Sequence, residues 1–211
     1  MKIKNKNVRY VGILFLALFL LVTFFVATNT FIINFDSFID SAIRNNSTLD
    51  NLAKFITDIA STTIIVILFL LLLSILIYRK KIYEGFFAVA SIVGSFILGY
   101  LVKLLVARAR PESSIIEETG YSFPSGHALK ALIFFSLLIY LFKNDIKSVV
   151  LRNIFVSVNV LLIILIGFSR VYLHVHWASD IIGSWLLGLF WLYLMIFLFK
   201  DKIKTIRSTR R

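Results

Sequence analysis

An all-α integral membrane bundle of six transmembrane helices, with both termini cytoplasmic, is the architecture this sequence predicts, on three observations. The 211 residues are 59% hydrophobic and only 16% charged, whereas soluble domains carry about 25% charged residues. Charge-free runs recur six times along the chain. The basic residues collect at the chain ends and between those runs, which is a topology signal and not a folded basic face. The net charge of +12 therefore implies no nucleic-acid partner. With no cysteine, disulfides and thiolate metal sites are excluded. No linker, low-complexity tract or internal repeat divides the chain, so residues 1–211 read as one domain.

The first run, 10–35, follows Lys2, Lys4, Lys6 and Arg9. Its apolar core at 11–27 is longer than the ~7–15 residues of a signal-peptide core and no convincing cleavage site follows, so it reads as an uncleaved helix. The segment from about 35 to 55 places Phe35, Ile39 and Ile43 at four-residue spacing and reads as a short amphipathic piece on the outer surface. Runs at 59–78, 85–102, 153–169 and 181–199 each meet the ~17–25 residues that a span needs. The run at 131–142 is short and must extend back through Lys130 to about His127. Lys130 then lies within a turn of the membrane edge, where its stem can snorkel. Ser91, Ser95 and Gly99 form a small-residue stripe suited to helix packing. Trp177 and Trp191 suit interfacial anchoring, with Trp185 deeper.

Six spans put both tails on one side, together with the links at 79–84 and 143–152. These segments hold 16 of the 23 Lys and Arg residues, so the positive-inside bias makes them cytoplasmic. The remaining polar blocks fall on the opposite, extracytoplasmic face of the cell membrane.

Those blocks are Lys103 to Arg110-Pro111, then Pro124-Ser125-Gly126-His127, then Ser169-Arg170 with His176 and Asp180. A cation at a membrane helix centre costs about 2.5–3.5 kcal/mol, so ionisable groups placed there are functional candidates. Lys103 and Arg110 lie two turns apart on one face if the third span stays helical to Pro111. With Arg170 they suit the equatorial oxygens of a transferring phosphoryl group. Ser125 and Gly126 precede a helix start, where backbone N–H groups can face an anion. That block alone reads equally well as a simple turn. His176 and Asp180, four apart, share a helix face. A carboxylate on one imidazole nitrogen fixes the tautomer and leaves the other lone pair free to attack. Arg108 falls outside the pattern and reads as a snorkelling anchor. His174 points roughly 200° from His176 in helical geometry and reads as an interface residue.

In order and spacing the three blocks resemble the type 2 phosphatidic acid phosphatase family, over the chain from Lys103 onward. The resemblance implies His176 as nucleophile, Asp180 as its orienting partner and His127 as general acid and then base. Lys103, Arg110, Ser125, Gly126 and Arg170 would bind the phosphate. It also implies metal-independent catalysis with no cofactor, on a lipid phosphate or pyrophosphate such as undecaprenyl pyrophosphate, phosphatidylglycerophosphate or phosphatidic acid. Two other functions use the same site: a lipid phosphotransferase, and a lipid-phosphate binding or transport protein. The second would need only the cations, and the two histidines and Asp180 count against it. Nothing in the sequence indicates an oligomeric state.

Overall fold

The computed structural model describes residues 5–29, 31–43 and 47–209. The tail residues Lys2, Lys4, Arg210 and Arg211 lie outside them. Among the described residues there are eight helices and no strand: α1 (Asn5–Thr28), α2 (Ile32–Ala42), α3 (Ser47–Asp58), α4 (Thr62–Tyr78), α5 (Ile82–Val106), α6 (Gly126–Phe142), α7 (Val149–Tyr172) and α8 (Ala178–Thr209). Four helices are long and apolar enough to cross a membrane, and a fifth span arises if α3 and α4, bent by 41°, are taken together. The chain is a multi-pass membrane protein.

Several boundaries differ from those expected. The run at 10–35 is not one helix. Asn29 adopts φ 51°, a left-handed conformation that asparagine tolerates, and the chain turns back into α2. The amphipathic piece at 35–55 is two helices, and α3 packs on α7 while α2 packs on α8. α5 stops at Val106 because Ala107 is left-handed, φ 47°. Lys103 and Arg110 therefore do not share a helix face, and Arg110 belongs to the 107–125 link. Serine side chains cap the starts of α4, α6 and α7: Ser61, Ser125 and Ser148 accept from Ile64, Ala128 and Leu151 N–H groups, satisfying otherwise unpaired donors.

α6 is the axis of the bundle, packed against α5, α7 and α8, and it is buried along most of its length. α1, α4, α5 and α7 turn exposed Leu, Ile, Val and Phe side chains outward, the surface a bilayer would cover. Lipid is as apolar as leucine, so close packing and polar pairs must hold such helices together. A Cβ on Gly94 would lie 2.1 Å from the Trp191 ring, and Trp191 Nε1 donates to the Ser91 carbonyl at 2.9 Å. Trp191 thus fastens α8 to α5, where an interfacial anchor was expected. Ser91, Ser95 and Gly99 are buried, and a Cβ on Gly99 would lie 2.7 Å from the Leu129 side chain of α6.

The links sort into two ends. At one, Asp145 joins the α6–α7 link to Arg79 (3.2 Å) and Lys81 (3.1 Å) of the α4–α5 link. At the other, the 107–125 and 173–177 links meet α2 and α3. All three polar blocks gather there.

Candidate active site

The third block is organised by the start of α8. Trp177 precedes its first residue, and the Asp180 carboxylate reaches back to accept the Trp177 N–H, Oδ2 at 3.0 Å. This is half of a capping box and orients the carboxylate. The same oxygen lies 3.3 Å from His176 Nδ1. His176 Nε2 lies 3.2 Å from Arg110 Nη1. Guanidinium nitrogens donate only, and an ionised carboxylate accepts only, so the ring is assigned neutral with its proton on Nδ1. The Nε2 lone pair faces the cation cluster. Burial, and the charges of Arg170 and Arg110, lower the His176 pKa to about 4 against the opposing pull of Asp180. His176 is therefore neutral at physiological pH.

Arg110 is fixed by the link that carries it. Nε donates to Gly120 O (3.0 Å), Nη2 to Thr119 O (3.1 Å) and Nη1 to Val175 O (2.8 Å). Lys103, in the last turn of α5, donates to Tyr121 O at 2.5 Å. Arg170 is 1% exposed. It donates to Thr57 Oγ1 of α3 at 2.9 Å and forms a short ion pair with Glu118. Its buried Nε has no hydrogen-bond partner among the described residues, leaving a donor free for an anion.

Phe123 anchors the second block. It is fully buried, and a Cβ on Gly183 would lie 2.4 Å from its ring. The Phe123–Pro124 peptide is cis. Ser125 is buried as the α6 cap, while a Cβ on Gly126 would meet nothing within 4 Å, so Gly126 borders open space. Half-buried His127 follows and interacts electrostatically with Arg170, His176 and Arg110. All eight residues singled out from the three blocks thus lie at one end of the bundle. Among the described residues no three His, Asp or Glu side chains gather as metal ligands would.

Three assignments from sequence are corrected, those of Arg108, His174 and Lys130. Arg108 is no snorkelling anchor: it bridges Asp36 (2.6 Å) and Asp180 (2.7 Å) beneath the Trp177 ring. Trp177 itself donates from Nε1 to Ala109 O at 3.0 Å, tying the α8 start to the 107–125 link. His174 is buried, with Nδ1 2.6 Å from Asp40. Lys130 is buried as well and donates to Thr62 Oγ1 at 2.8 Å.

Two carboxylates were missed. Glu118 pairs with Arg170 and lies 3.7 Å from Arg110. Burial pushes its carboxyl up, but the two guanidiniums outweigh that and hold it below the ordinary value. Asp36 is 2% exposed. Its signal was available, because an acid beside a long apolar run must find a partner.

The blocks fall within residues 103–204, which match the PAP2 superfamily model. Phosphatidylglycerophosphatase B of Bacillus subtilis (strain 168) is 28% identical over 136 residues, covering 63% of this chain and 66% of that protein. Undecaprenyl-diphosphatase of Sulfolobus acidocaldarius is 33% identical over 121 residues, 54% of each chain. The chain thus spans just under two thirds of the first relative and about half of the second. In fold it is similar to a transmembrane PAP2 type phosphatidylglycerolphosphate phosphatase from Bacillus subtilis, with TM-score 0.82, 23% identity, and 92% of this chain and 97% of that one covered. It also resembles LpxE of Aquifex aeolicus, with TM-score 0.63, 19% identity, and coverage of 79% and 95%. Residues 103–204 of this chain thus form a PAP2 superfamily domain.

Proposed function

We propose that this protein is a six-span phosphatase of the cell membrane that removes a terminal phosphate from a lipid phosphate or pyrophosphate through a phosphohistidine. The observation that carries the reading is the neutral His176, held at Nδ1 by Asp180 while Nε2 faces Arg110. The relatives named for phosphatidylglycerophosphate and undecaprenyl diphosphate support a lipid substrate. His176 Nε2 attacks phosphorus while the bond to the leaving oxygen breaks, and His127 protonates that oxygen. Water, giving its proton to His127, then cleaves the P–N bond and releases phosphate. Lys103, Arg110, Arg170 and the Ser125–Gly126 backbone stabilise the equatorial oxygens without a metal. The incoming phosphoryl group displaces Glu118 from the guanidiniums.

The sixth span is α6, whose 17 residues measure about 26 Å against a hydrocarbon core of about 30 Å. Its central position lets neighbouring helices shield its ends. Both termini are then cytoplasmic, and the site opens outward. A cysteine at Ser113 should react with an impermeant thiol reagent applied to intact cells, and one at Ser148 should not. The opposite labelling would put the site in the cytoplasm.

Purified protein should release phosphate from phosphatidylglycerophosphate, undecaprenyl pyrophosphate and phosphatidic acid. It should do so in EDTA, be inhibited by orthovanadate, and act more weakly on soluble sugar phosphates that lack a membrane-anchored tail. Transfer to an added acceptor lipid without phosphate release would favour the phosphotransferase. Preference for a soluble ester over every lipid would refute the lipid-phosphatase reading, and metal-restored activity after EDTA would refute the metal-free chemistry.

A further inference from the structure

The polar cluster behind His176 reaches well beyond the signature blocks. Asp180 and Asp36 are both buried, and Arg108 joins them. Its Nη1 donates to Asp180 Oδ1 and to Ser179 Oγ, each at 2.7 Å, and its Nη2 donates to Asp36 Oδ2 at 2.6 Å. Asp180 is thereby held at both oxygens, since Oδ2 takes the Trp177 N–H and faces His176. A carboxylate fixed on both sides cannot rotate away from the imidazole.

The far end of the relay is fixed by α2. Asp36 accepts the backbone N–H of Ser179 at Oδ1 (2.9 Å) and its hydroxyl at Oδ2 (2.5 Å). It so supplies an anion to the first turn of α8, where unpaired N–H groups and the helix dipole favour one. One turn along α2, Asp40 holds His174 at the other side of the 173–177 link. Two carboxylates from the first half of the chain thus grip the segment that carries His176.

We propose that Arg108 and Asp36 are positioning residues: they fix the plane of Asp180 and, through it, the tautomer and direction of the His176 ring. This rests on the reading of His176 as nucleophile. Neither residue faces the phosphate side, where Lys103, Arg110 and Arg170 converge, so their loss should slow chemistry without weakening anion binding. A role limited to tying α2 to α8 predicts something else: less folded protein, with normal turnover in what remains.

The variants Arg108→Met, Arg108→Lys and Asp36→Asn separate these cases. A cavity of about 340 Å³, bordered by Val26, Ile33, Val106 and Trp177, reaches both Arg108 and Asp36. Water entering it can rehydrate the carboxylates that Arg108→Met leaves unpaired. Wild type, the three variants and His176→Ala are purified in detergent, and the folded fraction is measured by thermal unfolding. Each is then assayed for phosphate release from phosphatidylglycerophosphate and for orthovanadate inhibition. Per folded molecule, kcat should fall by roughly 10- to 100-fold in Arg108→Met and Asp36→Asn, by analogy with the loss of a carboxylate that orients a metal-ligating histidine. KM and the vanadate inhibition constant should stay within about threefold of wild type. Arg108→Lys should recover part of the loss, because one ammonium keeps the charge but cannot span both carboxylates. If Arg108→Met does not fold, the proposal stands or falls on Asp36→Asn, which is nearly isosteric. A kcat within threefold of wild type in both removals, or a parallel loss of kcat and vanadate affinity, overturns it. Failure of the underlying reading looks different: wild type itself releases no phosphate, or His176→Ala matches it.

Discussion

Replacing His176 with alanine is expected to abolish turnover, lowering kcat by at least about 10⁴-fold, because losing the proposed nucleophile closes the proposed covalent route. The cations proposed to bind the anion stay in place: Arg110 loses its contact with His176 Nε2 but keeps those to Val175, Gly120 and Thr119, and Lys103 and Arg170 keep theirs to Tyr121, Thr57 and Glu118. Orthovanadate should still bind to the variant. Labelled substrate, quenched during turnover, should leave an acid-labile phosphoenzyme in wild type and none in His176→Ala. The same assignment sets the pH dependence. Burial and the neighbouring guanidiniums lower the His176 pKa to about 4, so the attacking lone pair persists as pH falls past the ordinary histidine range. The acid limb of kcat/KM assigned to this ring should lie near pH 4 and not near 6.5. Turnover above about 1% of wild type in His176→Ala would remove His176 from the mechanism.

The candidate residues Lys103, Arg110, His127, Arg170, His176 and Asp180 could be named from sequence because each is expensive beside lipid and their order and spacing resemble those of a known family. Their partners were less so. Arg108 and Asp36 are 72 residues apart, Arg170 and Thr57 are 113 apart, and Arg170 and Glu118 are 52 apart. A buried charge announces that it needs a partner, but no local pattern says which. Arg108 was set aside because it lies within the first block but outside its pattern, although the cost of burying a guanidinium applies to it as fully as to Arg110. Helix locations followed from apolar runs, while helix ends depended on single residues. Left-handed Asn29 stops α1 inside the apolar run at 10–35, and left-handed Ala107 stops α5 short of Pro111, where the proline alone would have ended it. Ala107 matters most for the site, because ending α5 there lets Arg110 swing to His176.

Arg170→Ala should produce the other large effect, on two readouts that can be separated. Arg170 is fully buried between Thr57 of α3 and Glu118. Removing one member of a buried ion pair costs about 3–5 kcal/mol when the remaining charge stays buried. Glu118 keeps 26% of its side chain exposed and can turn toward water, so the stability loss should fall below that range. Catalysis should suffer more: loss of a cation that stabilises transferring phosphoryl oxygens lowers kcat/KM by about 10³-fold. Orthovanadate inhibition should weaken as well, unlike in the Arg108 and Asp36 variants, because Arg170 is proposed to hold the anion directly. Adding Glu118→Gln to Arg170→Ala tests the division. The second change removes the uncompensated carboxylate, so thermal stability should rise toward wild type. Turnover should stay low, because neutral glutamine restores no positive charge for the phosphate. Recovery of activity along with stability in the double variant would mean that Arg170 serves only to neutralise Glu118, and the phosphate would then be held by Lys103 and Arg110 alone.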